Sequence, residues 1–235
     1  MMKLIYTTVF LLMSTMTSTE LFAQNADALV KRVRDKLNTV KDYEADGVLV
    51  TNVSFMKVPE SPITVYYKNP DKFKIKKKDG ISVVPKGGMS VNMNSLFAGS
   101  GEYTAVPSGT VTDNGQQLTV VKLLPLAEGS DVVVSTLYID EKNALVKKAI
   151  TTTRESGTYE IELSYGRFAQ WGLPDKVVFL FNTQNYKLPK GLAFDYDTGE
   201  KPVYNDNTVP QKGRVEISYK TYRVNKGIPA SVFAG

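Results

Sequence analysis

From Glu44 onward the apolar residues of this chain recur with a period of two. In the stretch KFKIK, for example, Phe73 and Ile75 alternate with lysines. Successive side chains of a strand point to opposite faces, so this pattern predicts strands with one apolar face and one charged face. Turn sequences such as Asp113-Asn114-Gly115 separate many of the runs. Short strands joined by tight turns predict a mainly β (α+β) fold, an antiparallel meander of about ten to eleven strands.

The predicted strands lie along most of the chain. Around Val48 and Val50, and again around Ile63 and Val65, the alternation is short but regular. The later runs are longer, and they cover residues 117–124, 131–140, 145–153, 158–165, 175–182 and 213–223. A sheet with one apolar face needs a partner layer that buries that face.

One segment has helical rather than strand periodicity. Leu29, Val33 and Leu37 recur every four residues between Asn25 and Val40, and charged residues lie mostly off that face. This spacing predicts an amphipathic helix. Because its apolar stripe must be buried, we expect the helix to lie across the sheet.

Two segments do not follow either period. The residues SVNMNSLFAGSG, from Ser90 to Gly101, predict a short helix over 92–98 with glycines on both sides. Leu96 and Phe97 could then belong to a movable lid, or they could belong to a surface loop and fill the core; the sequence leaves both interpretations open. Residues 187–211 are rich in Pro, Gly, Asp and Asn, which predicts a long loop.

The N-terminus is typical of an export signal. Lys3 precedes an apolar run of about ten residues, which suits a signal peptide and is too short to span a bilayer. Small Ala23 is a suitable residue before the cleavage site. We therefore predict a signal peptide over residues 1–23, a single mature domain over 24–235, and a periplasmic location.

The charge is modest, since 29 basic and 24 acidic residues give a net charge of +5. Nucleic-acid-binding proteins concentrate positive charge far more strongly, so nucleic acid is not expected as a partner. Six lysines lie between Tyr66 and Gly80. The alternation favours a solvated strand face for them, and docking to anionic headgroups or to an acidic protein is the alternative.

Several kinds of chemistry are excluded because the chain has no histidine and no cysteine. Ser-His-Asp triads, thiol nucleophiles and histidine-ligated zinc sites are therefore impossible. Ser54-x-x-Lys57 matches a motif of penicillin-recognising enzymes without its companion motifs, and the segment from Asp195 departs from a calcium loop. We predict no catalytic residue, metal or cofactor, although acids on separate strands would leave no local signature of a hydrolase.

The order of these elements resembles the LolA family of periplasmic lipoprotein carriers. The similarity is carried by a helix ending in LNTVKDYEA, by the segment YYKNPDKFKI from Tyr66, and by the ending VEISYKTYRVNKGI from Val215. The segment LYIDEKNALV from Leu137 resembles a hairpin of the wider group that includes LolB and RseB. Asn69 stands where the family's carriers often have an arginine that holds the lid shut.

The resemblance implies an incomplete antiparallel barrel whose mouth is covered by helices and whose apolar cavity receives lipoprotein acyl chains. It implies a monomeric carrier of lipoproteins or lipids that works with an inner-membrane release complex and an outer-membrane acceptor. The alternative is a non-catalytic sensor of the cell envelope, like RseB.

The candidate binding residues are the inward members of each alternation, and ordinary core packing is the alternative role for each. The predicted cavity wall consists of Val48, Val50, Ile63, Val65, Phe73, Ile75, Val133, Leu137, Ile161, Leu163 and Phe179. The predicted lid residues are Leu29, Val33, Leu37, Leu96 and Phe97.

Overall fold

The structure is a computed structural model. It describes residues 17–53, 56–57, 60–77, 82–83, 96–97, 101–155, 157–182 and 212–234. The loop predicted over 187–211 lies outside the described residues, and so does most of the short helix predicted over 92–98.

All strands of the described chain belong to one antiparallel sheet. Ten of them are six residues or longer, and β2 and β5 have two residues each. This confirms the predicted number of strands. The strands are β1 Asp42–Val53, β2 Met56–Lys57, β3 Ser61–Lys68, β4 Lys72–Lys77, β5 Ser82–Val83, β6 Tyr103–Asp113, β7 Gln116–Pro125, β8 Val132–Asp140, β9 Leu145–Thr153, β10 Thr158–Ser164, β11 Lys176–Asn182 and β12 Lys212–Val224.

The strand order is β5-β4-β3-β1-β12-β11-β10-β9-β8-β7-β6, with β2 paired to β1. Strands β6 to β12 form a meander in chain order, and the final strand β12 then pairs with β1 from the start of the domain. Strands β5 and β6 lie at opposite ends of this order, so the sheet is open. The predicted incomplete antiparallel barrel is therefore confirmed.

Strand β6 is an element that the alternation did not predict. Pro107 and Gly109 interrupt its sequence, and the pairing with β7 shifts register between Pro107 and Thr110. Proline lacks an N–H donor and is tolerated in sheets at edge strands and bulges. Strand β6 is such an edge, which explains why its sequence does not resemble a strand.

The N-terminal helix, α1, runs from Thr17 to Asn38 rather than from Asn25 to Val40. Its last turn closes with bonds from the N–H groups of Thr39 and Val40 to the carbonyls of Lys36 and Leu37. The helix includes Ala23. The cleavage predicted after this residue stays a prediction. No helix in the described part of the chain is long and apolar enough to cross a membrane.

The predicted apolar stripe of α1 packs on the concave face of the sheet. Leu29, Val33 and Leu37 are at most 7% exposed and belong to the same core cluster as the inward residues of the strands. Val30 and Ala26 widen the stripe. The helix thus buries the one-sided apolar face that the alternation predicted.

The convex face is charged, and it carries ion pairs between strands. Glu216 accepts hydrogen bonds from Lys176 and Arg214, which hold the pKa of its carboxyl below the usual range. Lys148 pairs with Glu160 at 2.8 Å. These contacts keep the outer surface polar while the inner surface is apolar.

The lysines of β4 do not all have the same environment. Lys72 and Lys76 are exposed, as predicted for a solvated strand face. Lys74 is only 7% exposed, so the prediction is wrong at this position. The C-terminal segment folds back over β4, and the Lys74 ammonium lies 3.4 Å from the Ala234 carbonyl oxygen. That segment is the physical reason for the burial.

Candidate functional site

The concave face of the sheet consists of rows of side chains that cross the strands. The central row has one residue on each strand from β7 to β11, and each of these residues is the register partner of the one on the adjacent strand. That row is apolar throughout and is at most 5% exposed; it contains Val121, Leu137, Ala149, Ile161 and Phe179. A continuous apolar trough therefore crosses five strands.

The part of the face formed by β1, β3 and β12 is aromatic. Tyr43 stacks with Tyr67 at a centroid distance of 5.2 Å and meets the edge of Tyr222 at 5.3 Å. Tyr219 lies 4.9 Å from Tyr222, and Phe168 covers Tyr222 from the other side at 4.8 Å. Burial raises the pKa of Tyr43 well above its usual range, and the neighbouring Tyr219 and Tyr67 raise this pKa further.

One end of the concave face is polar. Ser135 on β8 and Thr151 on β9 are register partners, and their hydroxyl oxygens are 2.9 Å apart. Ser135 is fully buried and Thr151 is 2% exposed. Tyr159, the partner of Thr151 on β10, hydrogen bonds with the Thr151 side chain. Three hydroxyls thus lie side by side next to the apolar trough.

Helix α1 is attached to the rim of the sheet by three basic side chains. Arg32 donates to the Glu141 carbonyl at 3.1 Å, and Lys36 donates to the Asn143 carbonyl, both in the β8–β9 turn. Arg34 reaches β6 at the end of the sheet. These contacts are exposed, so each stabilises the docked helix only modestly.

Two apolar residues that follow β5 and precede β6 in the sequence, Leu96 and Phe97, also pack on this face. Residues 84–102 connect β5 to β6, which are the first and last strands of the spatial order. Leu96 and Phe97 of this connection are 2% and 3% exposed and belong to the core cluster. The Ser135 hydroxyl donates to the Leu96 carbonyl oxygen at 3.1 Å. The connection therefore places two apolar side chains and one carbonyl on the concave face.

Eight of the eleven predicted wall residues face this interior. Each of them is at most 8% exposed and belongs to the core cluster. All five predicted lid residues belong to the same cluster. The interior wall residues are Ile63, Val65, Phe73, Ile75, Leu137, Ile161, Leu163 and Phe179.

The predicted orientation of β1 is wrong. Val48 and Val50 are only half-buried, while Ala45 and Leu49 face the core. The register explains the choice, because Ala45 is opposite Tyr222 and Gly47 is opposite Tyr219 on β12. The tyrosine rings fill the interior at these positions, so small residues face inward and the valines face outward.

The prediction for Val133 is also wrong. This residue is 44% exposed, although it has the same parity as the buried Ser135 and Leu137. The pairing of β8 with β9 shifts register between Val132 and Val134. The bulge turns Val133 outward and lets Val132 pack against the core in its place.

Several interior residues were not predicted from the sequence. The tyrosines Tyr43, Tyr219 and Tyr222 and the hydroxyl residues Ser135 and Thr151 lie inside the fold. Tyr219 and Tyr222 lie in a predicted strand, but alternation alone would place only one of them inside, because the bulge between them appears only in the pairing with β1. A buried Ser–Thr pair has no comparable signal in one sequence.

The remaining motifs do not form a site in the described chain. Neither a cluster of three acidic residues nor any other metal-binding group occurs among the described residues. The segment resembling a calcium loop, from Asp195, lies outside them, and so does Ser54 of the S-x-x-K match. Asn69 donates its backbone N–H to the Lys41 carbonyl at 2.8 Å.

An open antiparallel sheet with a helix packed against its apolar face defines a class of one-sided β folds with a covered concave face. No family model matches the sequence, and no curated protein matches it. Solved structures do match the fold over most of the chain.

Three of these structures have related folds at very low identity. A domain described as an outer membrane lipoprotein-sorting protein of Vibrio parahaemolyticus superposes with a TM-score of 0.56 and 9% identity, covering 90% of this chain and 97% of that one. A DUF1329 family protein of Desulfovibrio piger gives 0.55 and 11%, covering 90% and 96%. A LolA superfamily protein of Nitrosomonas europaea gives 0.53 and 7%, covering 88% and 97%. The fold of this chain is therefore LolA-like.

Proposed function

We propose that this protein is a periplasmic carrier that binds the acyl chains of lipoproteins or lipids on its concave face and delivers them to the outer membrane. The observation that carries the proposal is the covering of this face. The apolar stripe of helix α1 packs on it, and so do Leu96 and Phe97, which belong to no strand. An apolar face covered by a helix whose polar attachments are exposed suits a ligand that must be taken up and given away.

The energetics of exchange support reversible binding. Burying one Leu or Val side chain contributes about 1.5–3 kcal/mol, so docking the stripe of α1 contributes on the order of 10 kcal/mol. A buried methylene contributes about 0.8 kcal/mol, so one long acyl chain also contributes on the order of 10 kcal/mol. Replacing the cover by an acyl chain is therefore close to neutral, and small differences decide between uptake and release.

The first test asks whether the protein holds lipid. Native mass spectrometry of protein purified from the envelope fraction is expected to show adducts of lipid mass. Leu163→Asp, which places a charge on the apolar face, is expected to remove them. If this variant does not fold, displacement of an alkyl fluorescent probe from the wild-type protein by lipids gives the same answer. A wild-type protein that carries no lipid and binds no alkyl probe would refute the proposal.

The second test asks whether the protein delivers what it binds. Loaded protein is mixed with acceptor outer-membrane vesicles, and a carrier is expected to release a bound lipoprotein to them. Retention of the lipoprotein would support a sensor instead.

N-terminal sequencing of the envelope protein tests export, and the expected first residue is Gln24.

A further inference from the structure

We propose that the hydroxyls of Ser135, Thr151 and Tyr159 bind the ester carbonyl of the acyl ligand, at the place that the Leu96 carbonyl occupies in this structure. This inference rests on the proposed function and names the chemical class of its ligand. An acyl ester, rather than a free fatty acid or a bare alkyl chain, is the ligand that this face fits.

The three hydroxyls form a directed chain of hydrogen bonds. Ser135 uses its only hydrogen to donate to the Leu96 carbonyl, so Thr151 must be the donor in the 2.9 Å contact with Ser135. Thr151 is in turn hydrogen bonded with Tyr159, and Tyr159 is the donor in this bond because the single hydroxyl hydrogen of Thr151 is already used. Each bond polarises the next, so the chain ends on a strengthened donor that requires a carbonyl or similar acceptor.

The Leu96 residue has the same chemistry as an acyl ester. It presents an apolar side chain to the interior, 2% exposed, and a neutral carbonyl oxygen to the Ser135 hydroxyl. It belongs to the connection between the ends of the sheet, not to a strand. If Leu96 is displaced, the buried Ser135 hydroxyl loses its acceptor, and an unsatisfied buried donor is costly. A ligand with a carbonyl next to an alkyl chain replaces both parts of Leu96.

The apolar trough lies in the right place for the alkyl chain. Ser135 and Thr151 are two residues along their strands from Leu137 and Ala149, which are register partners in the central row. Successive same-face residues of a strand are adjacent rows of the face. A carbonyl bound at the hydroxyls therefore directs its alkyl chain into the row of Leu137, Ala149 and Ile161.

The electrostatics of the face favour a neutral ester over a carboxylate. Within the described chain the buried cation is Lys74, and its ammonium lies under the C-terminal segment beside the Ala234 carbonyl. The basic residues of α1 bind backbone carbonyls at the rim. A carboxylate buried among neutral hydroxyls without a cation would be strongly destabilised.

The experiment compares two phospholipids with the same chains and headgroup, one with ester and one with ether linkages. The ether lipid lacks the carbonyl, so the wild-type protein is expected to bind the ester lipid about three- to tenfold more tightly. Ser135→Ala and Thr151→Val are expected to bring this ratio close to one. A change in the stability of the cover alters the affinity for both lipids equally, so the ratio isolates the contact with the carbonyl.

The matched control is Thr152→Val, which breaks the exposed hydroxyl pair between Thr152 and Thr158 and should leave the ratio unchanged. A diacylated lipopeptide added as a third ligand distinguishes a lipoprotein source of the ester from a phospholipid source. If both lipids bind with equal affinity to the wild-type protein, the ester site is refuted while lipid binding stands. If neither the lipids nor the lipopeptide bind, the proposed function itself is refuted.

Discussion

The Arg34 guanidinium donates a hydrogen bond to the Tyr103 hydroxyl at 3.2 Å and lies 5.6 Å from the centre of the same ring. Arg34 is on helix α1 and Tyr103 begins β6, the last strand of the sheet. This contact therefore joins the helical cover to the open end of the sheet. It lies on the other side of the helix from the β8–β9 turn, where Arg32 binds the Glu141 carbonyl.

Arg34→Met is expected to loosen the docking of α1. The variant removes both the hydrogen bond and the cation–π contact, which together contribute about 1 kcal/mol at an exposed site. Amide hydrogen exchange in α1 should become up to about fivefold faster. Tyr103→Phe, which keeps the ring, should have a smaller effect. Lys31→Met is the control because it breaks the solvent-side pair with Asp35 on the same helix; an equal effect there would show a change in helix stability rather than docking.

Fixing the cover in place is expected to prevent ligand binding. The chain has no cysteine, so Arg34→Cys with Tyr103→Cys gives a single pair for a cleavable bifunctional maleimide. The cross-linked protein should lose binding of an alkyl probe and recover it when the linker is cleaved. The same double variant without linker is the control. Undiminished binding by the cross-linked protein would show that ligands do not enter between α1 and β6.

Two residues of β8 distinguish the true interior from the one expected by simple alternation. Leu137→Ala should destabilise the protein by about 2–5 kcal/mol, because Leu137 is fully buried and its truncation leaves a cavity. Val133→Ala, at a residue that is 44% exposed, should change the free energy of unfolding by about 0.5 kcal/mol or less. Chemical denaturation measures both. Equal losses would contradict the bulge that turns Val133 outward.

The sequence alone was sufficient for most of the fold because its strands alternate strongly and its turns are explicit. Strand β9 was predicted with the observed bounds, Leu145–Thr153, since turn sequences flank it at 140–143 and 155–157 and most of its residues are β-branched. Strand β6 was missed because Pro107 and Gly109 break its pattern at an edge. Local periodicity thus predicts central strands well and edge strands poorly.

The interior was harder to predict because its orientation depends on partners far away in sequence. In Val48-Leu49-Val50 every residue is apolar, and only the tyrosines of β12 decide which side faces inward. At Val133 a bulge reverses the phase, and the bulge depends on the pairing with β9. The residue types show that a strand has one apolar face. Packing against the neighbouring strands decides which residues of the strand form that face.

Gly213 lies beneath an aromatic ring, so a methyl group there should be costly. A Cβ at this position would overlap the ring of Phe181, its register partner on β11. We expect Gly213→Ala to destabilise the protein by about 1–3 kcal/mol through overpacking. Gly101→Ala, where nothing lies within 4 Å, is the matched control and should be close to neutral. Combining Gly213→Ala with Phe181→Leu should recover part of the loss, and the absence of any recovery would count against steric conflict with the ring.

The buried tyrosines should make the protein sensitive to alkali. Burial raises the pKa of Tyr165 and of Tyr219 above the usual range, and it raises the pKa of Tyr43 and of Tyr222 in the same direction. Above the usual tyrosine pKa of about 10, the unfolded chain loses protons that the folded chain keeps. The folded state then binds more protons than the unfolded state. The contribution of these tyrosines to the free energy of unfolding is therefore constant below about pH 10 and falls above it, by up to about 1.4 kcal/mol per pH unit for each tyrosine.

Urea denaturation between pH 8 and pH 11, combined with the ultraviolet absorbance of tyrosinate, measures this effect. Tyr165→Phe provides the decisive comparison, because it removes one such hydroxyl and its 2.9 Å hydrogen bond to the Val146 carbonyl. The variant should be less stable than the wild type near neutral pH, by about 1 kcal/mol for the lost hydrogen bond. Its stability should then fall less steeply above pH 10, so the two curves converge. Parallel curves would contradict the prediction, because they would mean that Tyr165 ionises as easily in the folded protein as in the unfolded one.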